Sequence, residues 1–411
     1  MHKLLIIGFV WPEPKSSAAG SRILQLINVF KELAYEIVFA SACEKTSNAF
    51  DLSTIDVSTK SIKLNDSSFD IFIKDLNPKL VLFDRFMIEE QFGWRVTQNC
   101  PDAIKILDTE DLHCLRKGRH QALIDDHVFD DTYLFNIIAK REIASIYRCD
   151  LTLLISAYEL ELLKNRFKVP EDIMSYVPFL LQNISKKQTE NLTSFNKRKD
   201  FITIGNFMHK PNFDALLFLK ESIWPQIKKR KPNAIINIYG AYQSPKVTQL
   251  HNEKEGFIIK GYADDVHSVM QNSRVCLAPL RFGAGLKGKL VDAMRNGTPC
   301  VMTTIAAEGM FGKYNANGFI VDQESEFAEK AIQLYNEERV WIAFQKNGFK
   351  VINQRFNGEL QSLVMKQKVS DLKTNLKKHR QNNFVGALLN YHSMQSTKFM
   401  SRWIEEKNKN N

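Results

Sequence analysis

The sequence contains no C-x-x-C pair: its six cysteines, Cys43, Cys100, Cys114, Cys149, Cys276 and Cys300, are scattered along the chain. That excludes a zinc ribbon and a disulfide framework, and it fits a reducing compartment. No apolar stretch reaches the roughly 18 residues that a spanning helix needs. The apolar opening, residues 1–10, runs into Trp11-Pro12-Glu13-Pro14 rather than a small-residue cleavage site, so it predicts a buried first strand and not a signal peptide. Internal repeats and low-complexity tracts are lacking too. Acidic residues are in the minority: 46 Asp and Glu against 56 Lys and Arg leave a formal charge of +10. Such a balance favours anionic partners, whether nucleotides, acidic lipid headgroups or nucleic acid.

What remains is an ordinary globular mixture, 44% hydrophobic and 25% charged, over 411 residues. At roughly 150 residues per domain this predicts two or three domains. Short apolar runs at 4–10, 37–40, 80–83, 103–107 and 151–155 alternate with segments of helical period, the first near 18–33. The alternation resumes at 201–204, 234–239, 257–259, 275–280, 301–303 and 319–321. Strands with helical crossovers predict a parallel α/β sheet in each half. The polar stretch 185–199 reads as a linker between a first domain, 1–184, and a second, 200–365. Residues 366–411 form a basic helical segment, with six basic residues against one acid between Lys366 and Arg380, then apolar faces at 384–389 and 399–404. It is either a solvated helical surface or a contact with a membrane surface or substrate.

The chemistry concentrates in residues 275–294, which read as strand, tight loop and helix. Gly283, Gly285 and Gly288 let backbone approach an anion closely. A helix N-terminus adds about half a positive charge, and Lys287 and Lys289 add full ones, so the segment predicts a phosphate site. The three glycines also match G-x-G-x-x-G with Glu308 twenty residues onward, a dinucleotide fingerprint. That fingerprint belongs to the first strand-helix turn of its domain, however, and this one follows three earlier strands. The G-x-x-x-x-G-K pattern of a P-loop fits as well, but Leu290 stands where magnesium requires Ser or Thr. Lys289 and Asp292 share a helix face, so one can meet phosphate while the other accepts two ribose hydroxyls; the alternative is a surface i,i+3 ion pair. No D-x-D follows a strand, and no metal ligands are predicted.

Around this segment stand Ile204-Gly205-Asn206-Phe207, Lys210-Pro211-Asn212, Ile238-Tyr239-Gly240, Lys260-Gly261-Tyr262 and Asn296-Gly297-Thr298-Pro299. In order and spacing, over residues 201–309, they resemble the family 4 glycosyltransferases, the "glycosyl transferases group 1" set. The first half resembles that family's acceptor lobe through Asp108-Thr109-Glu110-Asp111-Leu112-His113, Arg141-Glu142 and Ile155-Ser156-Ala157-Tyr158-Glu159. The resemblance implies the α/β GT-B fold: two Rossmann-like parallel-sheet domains facing a central cleft, here with extra C-terminal helices. It implies metal-independent, retaining transfer of a sugar from a nucleoside-diphosphate sugar to an acceptor hydroxyl, with no cofactor besides that donor substrate.

Donor contacts implied by the resemblance are Gly20 in the first domain and, in the second, Gly205, Asn206, Gly240, Tyr262, Arg281, Gly283, Ala284, Gly285, Leu286, Lys287, Lys289 and Asp292. Catalytic roles are implied for His113, Lys289, Asp292 and Glu308. The chain departs from the family's E-x7-E pattern, keeping the second carboxylate as Asp292 and placing Ala284 where the first belongs. Glu308 is the carboxylate left to serve there, with a loop or helix-capping role as its alternative. His113, if not a cleft residue, is a structural hydrogen-bonder. A glycan, lipid-linked or protein acceptor, a cytoplasmic location and a peripheral contact at the inner membrane face complete the expectation, with no nucleic-acid partner. Two readings compete: a nicotinamide-dependent oxidoreductase using the glycine fingerprint, and a non-enzymatic basic protein that docks nucleic acid or membrane through Lys228-Lys229-Arg230-Lys231 and the 366–380 segment.

Overall fold

The computed structural model describes residues 2–409. Each half of the chain builds its own parallel sheet. In the first lobe the strands are β1 (His2–Gly8), β2 (Tyr35–Ser41), β3 (Ser58–Ser61), β4 (Leu80–Asp84), β5 (Ile104–Asp108), β6 (Leu151–Leu154) and β7 (Met174–Tyr176), in the order β3-β2-β1-β4-β5-β6-β7. The second lobe contains β8 (Lys199–Ile204), β9 (Ile236–Tyr239), β10 (Phe257–Gly261), β11 (Ser273–Ala278), β12 (Cys300–Met302) and β13 (Gly318–Ile320), in the order β10-β9-β8-β11-β12-β13. Both orders reverse beside the first strand of their lobe. The carboxyl ends of β1 and β4, and of β8 and β11, therefore flank the crevices where such sheets bind ligands.

Burial explains the strands. Leu4 to Ile7 in β1 and Val275 to Ala278 in β11 are fully enclosed, as parallel strands covered by helices on both faces must be. Helices supply the covers. Helix Ala18–Glu32 starts at Ser17, whose side chain accepts the Gly20 N–H, and turns Ile23, Leu26, Ile27 and Phe30 inward. Each sheet carries one hydrophobic cluster on either side.

The polar connection between the lobes is partly tied down. Helix Lys186–Glu190 opens with a capping box between Ser185 and Gln188, and farther on Phe195 packs edge-on against Trp341. Arg198 is buried and donates to the carbonyls of Thr193 and Asn296 and to the Thr298 hydroxyl.

After helix Glu338–Arg355 the chain recrosses to the first lobe. Asn357 bridges to Leu181, and helix Gly358–Asn382 lays Met365, Val369 and Leu372 into the first lobe's core. The two terminal apolar stretches belong to one helix, Phe384–Lys409, interrupted from its predecessor only at Asn383. Part of the basic segment is spent on this docking: Arg380 pairs with Asp150 and donates to the Pro101 and Ala103 carbonyls, and Lys366 pairs with Glu32. Among the described residues no helix is long and apolar enough to cross a membrane.

Candidate active site

At the end of β11 the chain makes a tight loop and enters helix Gly288–Arg295, which buries Leu290, Val291, Ala293 and Met294. Lys289 and Asp292 take the opposite side and are half-buried. Among the described residues neither side chain has a hydrogen-bond or ion-pair partner, so the i,i+3 ion pair does not form. Burial pushes the Lys289 ammonium down to about 8 and the Asp292 carboxyl up to about 6, the latter against the pull of Arg295 and His267. Two unpaired, half-desolvated groups of opposite charge stand ready for a ligand that offers both an anion and hydroxyls.

Directly across from them is the start of helix Ala18–Glu32. A Cβ on Gly288 would lie 2.8 Å from the Cβ of Ala18, so two helix N-termini from opposite lobes meet at this point. Each contributes about half a positive charge, and Lys289 adds a full one. Among the described residues the N–H groups of Ala18, Ala19, Gly288 and Lys289 have no protein acceptor.

Other amides expected at the phosphate are already taken. The Gly285 N–H goes to Glu159 at 2.8 Å, and the Lys287 N–H points at the Met310 sulfur. Lys287 is enclosed, donates Nζ to the Gly285 carbonyl at 2.8 Å, and is pushed down to about 8 by burial; it braces the loop. Gly285 lies at φ +63°, and a Cβ there would meet Asp111 Cβ at 2.9 Å, so this position admits only glycine. Ala284 packs against the first lobe's core, an apolar contact that a Glu would break. Leu286 is buried in the second lobe's core.

The remaining expected residues divide in two. Asn206 reaches the Ser16 carbonyl and Tyr262 the Lys15 carbonyl, each at 3.5 Å, so both come to the loop after β1. Arg281 is paired with Asp214 and stacks over Phe218, away from that loop. Gly20, Gly205 and Gly240 are accounted for by close packing: a Cβ would meet the Glu13 backbone, the Asn212 side chain and the Gly205 carbonyl respectively. Glu308 forms a bidentate ion pair with Arg119 of the first lobe, at 2.8 and 2.7 Å.

His113 opens helix His113–Ile124 and is anchored by Glu142, which accepts the N–H groups of His113 and Cys114 at 2.9 Å. Its Nε2 lies 3.4 Å from Asp111 Oδ1, and its ring stands edge-on to Phe86. Burial lowers the imidazole to about 4 although Asp111 pulls the other way, so it is neutral near pH 7. Burial also opposes the Asp111 charge, but Arg116 and His113 outweigh it and hold that carboxyl well below its usual range. From the other lobe comes His209, likewise lowered to about 4 by burial, among Asp111, Arg116 and Lys289. Beneath them Asp108, at the end of β5, grips Arg22 through both oxygens, and Glu110 sits at φ +61°.

Sequence reasoning gave no role to Arg116, Arg119, Glu159 or His209. The available signal was local: His209 immediately precedes a Lys-Pro helix start after β8, and Glu159 stands three residues past the Ser156 N-cap after β6.

Residues 198–337 match the family described as Glycosyl transferases group 1. About nine-tenths of the chain shares its fold with solved structures of low sequence identity. Sucrose-phosphate synthase from Thermosynechococcus elongatus aligns with a TM-score of 0.66 at 14% identity, over 90% of this chain and 99% of that one. HepE from Anabaena, solved with UDP and glucose, aligns with a TM-score of 0.65 at 12% identity, over 90% of this chain and 100% of that one. An "Uncharacterized 44.6 kDa protein in cps region" of Klebsiella pneumoniae is 23% identical over 163 residues, a match that covers 38% of this chain and 42% of that relative's length. The expected resemblance and fold are thereby borne out: the chain has a GT-B scaffold, and residues 198–337 of its second lobe match the glycosyl transferases group 1 model.

Proposed function

We propose, from the premise that the second lobe is a glycosyl transferases group 1 domain on a GT-B scaffold, that the protein moves a sugar from a nucleoside-diphosphate sugar to an acceptor hydroxyl. The observation that carries this reading is the pair Lys289 and Asp292, unpartnered and one turn apart on a helix whose N-terminus meets that of helix Ala18–Glu32. Departure of a nucleoside diphosphate builds negative charge on its phosphate. Lys289 and the N–H groups of Ala18, Ala19, Gly288 and Lys289 would meet that charge, while Asp292 accepts the ribose hydroxyls. Protein cations then do what a metal does elsewhere, and turnover is expected to persist in EDTA. Retention at the anomeric carbon follows the family resemblance.

Uridine is the base to try first, because the neighbouring HepE was solved with UDP. A relative in a cps region supports a glycan or lipid-linked glycan acceptor. Exposed Lys377 and Lys378 just before the last helix, exposed Phe384 and Leu388 at its start, and exposed Phe399 and Trp403 farther along it support a peripheral membrane contact in the cytoplasm. Thermal stabilisation by UDP-, GDP-, ADP- and dTDP-sugars tests the central claim. A bound donor at about 100 times its Kd adds about 2.7 kcal/mol, and silence across all four, with NADH stabilising instead, would return the dinucleotide reading.

A further inference from the structure

The glycine loop of the second lobe is held from behind by the first. Glu159 is fully buried, and one of its oxygens accepts both the Gly285 N–H at 2.8 Å and the Leu112 N–H at 2.9 Å, so a single atom bridges the lobes. Its other oxygen is buried without a partner. Beside it Arg119 donates to the Gly283 carbonyl at 2.9 Å while its guanidinium holds both oxygens of Glu308. Thus an amide and a carbonyl two residues apart in the loop find their partners only across the interface. If the lobes part, both lose their partners together, and what the second lobe itself supplies is the Lys287 brace on the Gly285 carbonyl and the buried Leu286, both on the far side of the two glycines.

We propose that Glu159 and Arg119 are positioning residues for glycosyl transfer, through which the first lobe shapes the donor loop of the second, so that the leaving-group site is complete only when the lobes are closed. This rests on the glycosyl-transfer reading. Both reach the loop through its backbone, at Gly283 and Gly285, and the loop in turn sets where helix Gly288–Arg295 and its Lys289 begin. An acceptor bound to the first lobe and a donor bound to the second are then linked, because both favour the closed arrangement that fastens the loop.

Hydrogen exchange of the 280–290 peptide, UDP affinity and donor turnover, measured on Glu159→Ala, Glu159→Gln and Arg119→Met, test it. Gln keeps an oxygen for both N–H groups, whereas Ala removes it. Glu159→Ala is expected to speed exchange in the loop and to cut turnover by about tenfold or more, with a smaller loss of UDP affinity, and Glu159→Gln is expected to restore most of these losses. Arg119→Met carries the same expectation should Glu159→Ala fail to fold. Unchanged exchange and turnover in folded Glu159→Ala and Arg119→Met, or a Gln variant as impaired as the Ala variant, overturns the proposal. Failure of wild-type protein to bind any nucleoside diphosphate overturns the glycosyl-transfer reading instead, and the exchange measurement on ligand-free protein still decides whether the loop is held from the first lobe.

Discussion

Gly288 and Ala18 sit face to face across the lobes, so near that a methyl group on Gly288 would lie 2.8 Å from the Ala18 methyl. Carbon atoms do not pack that closely, so a side chain at 288 must push the two helix N-termini apart. Gly288→Val is therefore expected to fold normally yet lose about tenfold or more in turnover, the scale of an ångström-sized misplacement. In Gly288→Ala the added Ala18→Gly change should restore part of the rate. Wild-type turnover in Gly288→Val would show that the two termini need not meet during the reaction.

Asp292 is the proposed ribose ligand. Its loss as Asp292→Ala should weaken nucleotide binding by about 1.5–3 kcal/mol, the worth of a charge-assisted hydrogen bond, without lowering the melting temperature. Calorimetry with the nucleotide found by the stabilisation screen measures this. An unchanged dissociation constant removes Asp292 from the site.

The same two groups set a pH window. Burial raises Asp292 to about 6 and lowers Lys289 to about 8. Below the first value the carboxyl gains a proton and grips hydroxyls less well; above the second the ammonium loses the charge that meets phosphate. Donor affinity is expected to be greatest between these limits and to fall on both sides. Asp292→Asn should flatten the acid limb and Lys289→Ala the alkaline one, each leaving the other in place.

Stability rests elsewhere. Asp108 and Arg22 are both essentially inaccessible, and Arg22 also donates to the Val177 and Pro178 carbonyls. Asp108→Ala would leave a buried guanidinium without its counter-charge, a loss of about 3–5 kcal/mol. Thermal unfolding of the first lobe should begin at a distinctly lower temperature. A melting curve that overlays the wild type would mean that the carbonyls alone satisfy Arg22.

The sheets were legible where burial is complete. Leu4 to Ile7 and Val275 to Ala278 are continuous apolar runs because helices cover both faces of their strands. β3 is a solvent-exposed edge of sequence Ser-Thr-Lys-Ser, and β7 has three residues, so neither leaves a hydrophobic signature. In the site, the spacing of Gly283, Gly285, Gly288, Lys289 and Asp292 is local and readable. Glu159 and Gly285 are 126 residues apart, and Arg119 and Glu308 are 189 apart; only lobe packing unites them. For the same reason the glycine loop was expected to give its amides to phosphate, whereas two of them already serve protein atoms.

His113 belongs to the first lobe, while the nucleotide would be held by Lys289 and Asp292 on the second, so its removal should separate rate from affinity. The ring is nearly enclosed between Asp111 and Phe86, and with its acidity shifted to about 4 it is a neutral hydrogen-bonding group at pH 7, not a cation. Its backbone is fixed independently, since Glu142 accepts the His113 N–H, so truncating the imidazole need not unravel the start of helix His113–Ile124. In His113→Ala, turnover is expected to fall by about 100-fold while nucleotide affinity stays near wild type, the loss typical of a polar group that orients or exchanges protons with a reacting hydroxyl. His113→Asn, which can still donate to Asp111, should recover part of the rate. The opposite pattern, a lower melting temperature with the rate preserved in the folded fraction, would make His113 a prop for Asp111 and shift attention to His209, which approaches the same carboxylate from the second lobe.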